Sequence, residues 1–190
     1  PTPRAARVLK TYKDSRKCWY GNEHRGRHYL SEKATESFEH VTEDIFRFIK
    51  GRSAGNTVIL WGDTTQALDL AAHVMAHREG VTLVSLMEHH SNDLPHRSRA
   101  KVVHFGVQDD GTLDYDDLET KLRLHNVKLV AVTGASNPTG YLPDVHRIAR
   151  LAHAHGARIL IDEGQDFTRR MIEVLVRWNA PGGEITMVCD

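Results

Sequence analysis

Four short stretches of this sequence put chemically capable residues directly after apolar runs. "GDTT" (62–65) follows "TVILW", "EHH" (88–90) follows "VTLVSLM", "SNPT" (136–139) follows "VKLVAVTGA", and "DEGQ" (162–165) follows "ARILI". The first offers a glycine turn, the hydroxyls of Thr64 and Thr65, and the N–H groups of an expected helix start, a combination suited to a phosphate. It is neither a Walker loop nor a GxGxxG fingerprint, and Thr64 acting only as a helix cap is the plainer alternative. Glu88, His89 and His90 could be metal ligands, acid–base groups or an aromatic platform. A metal site would need a third ligand at compatible spacing. Asp162 is the sharpest case. A carboxylate ending a buried strand must meet a cation or hydrogen-bond donors, or it takes up a proton. No arginine stands beside it in the sequence. A ligand with a protonated ring nitrogen would satisfy it, and so would capping a helix after Gln165.

The elements that must position these residues are legible in the apolar pattern. Ser31 reads as the cap of a helix over 32–50, with Ala34, Phe38, Val41, Ile45 and Phe48 at helical spacing. A break over 51–56 follows. Buried strands are expected at 57–61, 81–86, 101–105, 127–133 and 157–161. Helices are expected at 65–78, from about Ser91, from an Asp114 cap to Leu124, and from Asp144 to Gly156. Beyond Gln165 the pattern weakens to a helix over 166–178, a turn at "APGG" and a short strand at "EITMV". Strands alternating with helices require crossover connections, hence a largely parallel sheet. Continuous apolar strands fit a sheet covered on both faces, so the fold class is α/β with three layers, α/β/α. In such sheets ligands bind beyond the carboxyl ends of the strands, which is where all four stretches fall.

Composition narrows the function classes. Lys+Arg and Asp+Glu are both 25 among 190 residues, giving no charge excess for nucleic acid or a membrane surface. Cys18 and Cys189 form no CxxC pair and no disulfide framework, which suits a reducing, cytoplasmic setting. No apolar run approaches the roughly 20 residues that span a bilayer. The basic start, "PTPRAARVLKTYKDSRK", lacks the apolar core of a secretory signal and an initiator Met, so the chain is expected to begin inside a longer product. The 13 histidines are scattered. His73 and His77 have the i, i+4 spacing of a helical metal pair, but Val74 stands where HExxH needs Glu. His153 and His155 complement a helix C-terminus.

Taken together, "GNEHRGRHYLSEKATESFE", "WGDTTQALDLAA", "MEHHSNDLP", "DDGTLDYDDLE", "KLVAVTGASNPTG", "IARLAHAHGARILID" and Gln165 resemble the class V branch of fold-type I pyridoxal-phosphate enzymes. That branch includes the cysteine desulfurases. The resemblance runs in order over about residues 20–165 and implies the large domain of a pyridoxal-phosphate-dependent transferase. It implies that Thr64 and Thr65 hold the cofactor phosphate, and that His89 stacks on the pyridine ring and moves protons. Asn137 would lie near the 3-hydroxyl and the substrate. Asp162 would pair with the protonated ring nitrogen, and Gln165 would bond the 3-hydroxyl. It further implies an amino-acid substrate for the full-length parent, a homodimer or pairing with a full-length relative, and neither nucleic acid nor membrane as partner.

The resemblance stops after Gln165. The family pattern needs a lysine about two dozen residues after the aspartate to hold the cofactor covalently. Residues 166–190 contain no Lys, and the last in the chain is Lys128. Residues 1–165 are therefore expected to be a partial large domain and 166–190 a divergent tail. A fragment or interrupted gene, an internal loss, and a short protein that no longer catalyses all stay open. So does a non-catalytic, cofactor-binding or partner-binding protein of the same fold. In any of these cases covalent attachment at the family position is not expected.

Overall fold

The structure is a computed structural model that describes residues 6–18, 21, 24, 26–48, 58–164 and 185–187. The chain divides into two compact units, residues 1–58 and 59–190. The first unit carries helices α1 (Ala6–Cys18) and α2 (Tyr29–Phe48). Helix α2 starts earlier than the sequence suggests. The His28 carbonyl accepts from Ser31 and Glu32 N–H, so Ser31 lies inside the first turn and is buried rather than capping it. The basic stretch at the start, read without an element, is helical as α1.

The second unit is built on a sheet of five strands: β1 (Val81–Ser85), β2 (Val102–Phe105), β3 (Val127–Thr133), β4 (Arg158–Asp162) and β5 (Ile185–Met187). Their order is β2-β1-β3-β4-β5, and every pairing is parallel. Helix α3 (Thr64–Ala76) leads into β1, and helices α4 (His90–Arg97), α5 (Tyr115–Leu124) and α6 (Val145–Ala154) connect successive strands from β1 to β4. The step from β1 to β2 goes one way along the sheet, and those from β2 to β3 and β3 to β4 go the other way. With right-handed crossovers, α4 falls on one face and α5 and α6 on the other. The contacts agree: α4 packs beside α3, while α5 meets α6 and α6 lies on β4. On the first face Leu68 and Met75 of α3 pack with Val84, Leu129, Ala131 and Leu160. The alternate residues Leu83, Val130, Val132, Ile159 and Ile161 are equally buried and face the other layer. Three layers result.

Aspartates start three of the helices. Asp63 caps α3 through Gln66 N–H at 2.8 Å, Asp144 caps α6 through Arg147 N–H at 2.9 Å, and Asp114 caps α5 through both Asp116 and Asp117 N–H. Asp114→Ala removes the acceptor for two N–H groups. It is expected to lower stability by about 1–2 kcal/mol, read as a shift in the urea midpoint at unchanged slope.

One expected strand fails. Val58 to Trp61 form no ladder, and Ile59, Leu60 and Trp61 are 61, 47 and 50% exposed. An apolar run favours burial, but a strand also needs a neighbour to satisfy its N–H and C=O groups, and none of the described strands pairs with it. The short strand expected at "EITMV" does form, as β5. The break over 51–56, the helix over 166–178 and the "APGG" turn lie outside the described residues.

Candidate active site

The strand order reverses between β1 and β3, a switch point of the kind that opens a crevice at the carboxyl edge of an α/β sheet. Helix α3 runs down to the start of β1, so its N-terminus, with Thr64 and Thr65, lies on that same edge. Ser85, Thr133 and Asp162 end three adjacent strands there, and Thr133 and Asp162 are in register.

Glu88 is the hub. Its Oε1 accepts the Thr133 N–H at 2.8 Å and the Ser85 hydroxyl, and its Oε2 accepts the Asn92 amide at 2.7 Å. One side chain thus ties the end of β1 to the end of β3 and to the first turn of α4. Desolvation pushes its carboxyl up to about 7; the three hydrogen bonds pull the other way, and the neighbouring Asp162 charge adds to the rise. The sequence offered Glu88 only as one of three residues in "EHH". Its partners went unread, although a serine and a threonine ending apolar strands, and an asparagine at i+4, were the available signals.

His89 is the N-cap of α4. Its Nδ1 accepts Ser91 N–H at 3.3 Å and lies 2.8 Å from Ser91 Oγ. The ring is exposed at the edge. Asp162 is 1% exposed, with its Oδ1 accepting Glu163 N–H at 2.9 Å and its carbonyl accepting Gly134 N–H. Asn137 stands exposed in the loop after β3 and donates through Nδ2 to Glu163 Oε1 at 2.9 Å. Glu163, which the sequence did not single out, thereby joins the two strand ends. Thr64 is half-buried and Thr65 exposed. The cap of α3 is Asp63, not Thr64, so any anion at this helix end shares it with a carboxylate. Gln165 lies outside the described residues.

Among the described residues no three or more His, Cys, Asp or Glu side chains gather as metal donors. His73 and His77 sit edge to face, ring centres 5.5 Å apart. Residues 59–190 contain three lysines. Lys101 and Lys128 precede or open β2 and β3, and Lys128 Nζ donates to the Arg78 carbonyl at 3.0 Å. Thr133 lies five residue steps along the strand from Lys128, about 16 Å at the rise of a parallel strand. Lys121 is held by Asp117 on α5. None of the three stands at the switch point. No helix among the described residues is long and apolar enough to cross a membrane.

Carboxylates and a helix N-terminus gathered at the switch point of a doubly wound sheet define an α/β protein with a ligand site on its carboxyl edge. The aminotransferase class-V family model matches residues 1–176, and the chain belongs to that family. A probable cysteine desulfurase of Halalkalibacterium halodurans is 34% identical over 176 residues, 88% of this chain and 43% of that protein. The apo cysteine desulfurase of Thermococcus onnurineus superposes with a TM-score of 0.75 at 28% identity, covering 85% of this chain and 41% of that one. A NifS-like protein of Rickettsia africae shares the fold, with a TM-score of 0.80 at 18% identity over 98% of this chain and 51% of that one. The chain thus spans about two fifths of the length of the cysteine desulfurases it matches. The family depends on pyridoxal phosphate.

Proposed function

We propose that this chain is the cofactor cradle of a pyridoxal-phosphate enzyme acting on an amino acid. Among desulfurase, aminotransferase and lyase, the similarity favours a cysteine desulfurase. The observation that carries this reading is the convergence of Asp162, Glu88 and the α3 N-terminus on one edge. The carboxylates create negative potential that a protonated ring nitrogen relieves, as the effect of Asp162 on Glu88 registers. The helix end supplies N–H groups and the Thr65 hydroxyl for a phosphate. Asp162 holds the ring nitrogen, and His89 stacks on the pyridine and moves protons. Asn137 and Gln165 serve the 3-hydroxyl side. Bound pyridoxal phosphate supplies an electron-withdrawing ring that stabilises negative charge on a substrate carbon.

No lysine at this edge among the described residues, and none in 166–190, favours a second reading: this chain binds the cofactor without a covalent bond and is non-catalytic alone. Residues 1–165 act as the partial large domain and 166–190 as a divergent tail. The setting is cytoplasmic, and the chain pairs with itself or with a full-length relative. Family members act on amino-acid substrates, and the parent's substrate is placed in that class.

Titrating the chain with pyridoxal 5′-phosphate, followed by intrinsic fluorescence, tests the cradle. Thr65→Ala is expected to weaken binding roughly 10- to 100-fold, the loss of a hydrogen bond to a charged group, and Lys128→Ala to leave it unchanged. Equal affinity of Thr65→Ala and the parent chain would remove the phosphate site from α3.

A further inference from the structure

Strand β2 ends the sheet, with β1 as its one neighbour among the described strands. Lys101 and Phe105 turn their carbonyls to β1, where Thr82 and Leu86 N–H bond them at 3.0 and 3.1 Å. Backbone groups alternate in direction along a strand, so Val102, His104 and Gly106 point theirs off the edge. Such an edge is a template for another strand. The stretch "KVVHFGV" (101–107), rich in β-branched residues and free of Pro, is prone to pair. Helix α5 covers it. Lys121 Nζ donates to the His104 carbonyl and, at 2.6 Å, to Asp117 Oδ2, and the same Oδ2 accepts Gly106 N–H at 2.7 Å. Asp114 N–H takes the Gly106 carbonyl at 3.0 Å. In a parallel ladder one residue donates its N–H to the carbonyl of residue i−1 on its neighbour and accepts the N–H of residue i+1. Here, on either side of Phe105, the ammonium is that donor and the carboxylate that acceptor. Their i, i+4 spacing on α5 holds the two groups together.

We infer that Asp117 and Lys121 stand in for one residue of a further parallel strand and close the β2 edge against the same edge of a second copy of this chain. A second copy is the partner excluded, because it brings the identical pairing-prone strand to every encounter. Two such edges meet antiparallel about a two-fold axis. The inference is independent of the cofactor reading.

Lys121→Met keeps an unbranched, helix-favouring side chain but bares the His104 carbonyl. Arg123→Met is the matched control: it loses the same charge and another i, i+4 ion pair of α5, that with Glu119. Sedimentation equilibrium follows mass against concentration. The concentration for half-association is expected to fall roughly tenfold or more in Lys121→Met relative to both the parent and the control, the worth of a charged hydrogen bond. Association through any other face is common to all three and cancels in the comparison. Asp117→Asn keeps an acceptor for Gly106 N–H but gives up the charge that holds Lys121. It should shift association in the same direction by less, and it replaces Lys121→Met if that variant does not fold. Adding Val102→Pro to Lys121→Met removes an edge N–H at the first residue of the strand, where proline is tolerated, and should return the mass to that of the control. The His104 amide should gain protection from hydrogen exchange with concentration in Lys121→Met and not in Arg123→Met. Folded edge variants that associate no more than the control overturn the inference. So does association that survives Val102→Pro or leaves His104 exchange unchanged.

Discussion

Glu88→Gln is expected to change how stability depends on pH, more than any other single substitution at the site edge. In the folded chain the Glu88 carboxyl is pushed from an ordinary 4.5 to about 7, first by desolvation. The folded state therefore holds a proton that the unfolded state has released between those values. Stability is full below about 4.5 and is lost as pH rises through about 7, a change on the order of 3 kcal/mol. His96 works in the opposite sense. Buried on α4, it is held down from 6.5 to about 4, so the unfolded state binds the extra proton and stability is lost as pH falls below about 6.5. His146, also held down by burial, adds to that acid loss. Between about 4.5 and 6.5 the opposing slopes largely cancel, and the parent's thermal midpoint should be nearly flat there. Glutamine keeps the shape and the acceptor for Thr133 and Ser85. Its NH₂ can meet Asn92 Oδ1, which has no hydrogen-bond partner among the described residues, once that amide turns over. With the Glu88 contribution gone, the variant should lose stability steadily on acidification below 6.5 and be more stable than the parent at pH 8. Circular dichroism melts from pH 4.5 to 8 decide it; parallel profiles for the two proteins would show that Glu88 titrates normally.

The second large effect concerns Asp162. Asp162→Asn preserves the strand end, since Oδ1 can still accept Glu163 N–H, but it removes the charge. Affinity for pyridoxine 5′-phosphate is expected to fall roughly 10- to 100-fold, the worth of a hydrogen bond between charged groups. The loss should be greatest at pH values where the ring nitrogen carries its proton, whereas Thr65→Ala should weaken binding without favouring the protonated ring. A ligand-free readout accompanies it. The Asp162 charge raises Glu88, so in the variant Glu88 should titrate at lower pH, followed by its side-chain carbon resonance. An unshifted Glu88 would mean the two carboxylates do not sense each other. Unchanged affinity would take Asp162 out of the ring-nitrogen role.

Much of this protein was legible before any coordinates. The largely apolar run "VKLVAVT" is β3 residue for residue, because a strand buried on both faces leaves a near-continuous apolar signature, broken here only by Lys128 near its start and Thr133 at its end. Asp114 and Asp144 announce α5 and α6, because a cap is a local interaction between a side chain and the next few amides. The alternation of such elements fixes a parallel sheet, and hence the edge on which Asp162, His89, Asn137 and Thr65 fall. Tertiary structure decided what pairs across that edge. "TVILW" has a strand's composition, but a strand exists only where a neighbour takes its backbone groups, and none of the described strands does. Glu88 reaches Thr133, 45 residues away, and Asn137 reaches Glu163, 26 residues away, contacts set by strand order and register rather than by local spacing. The positive φ of Glu163 and the raised proton affinity of Glu88 belong to the same class. Each depends on what surrounds the residue once the sheet is assembled, and the sequence names the residue without naming its surroundings.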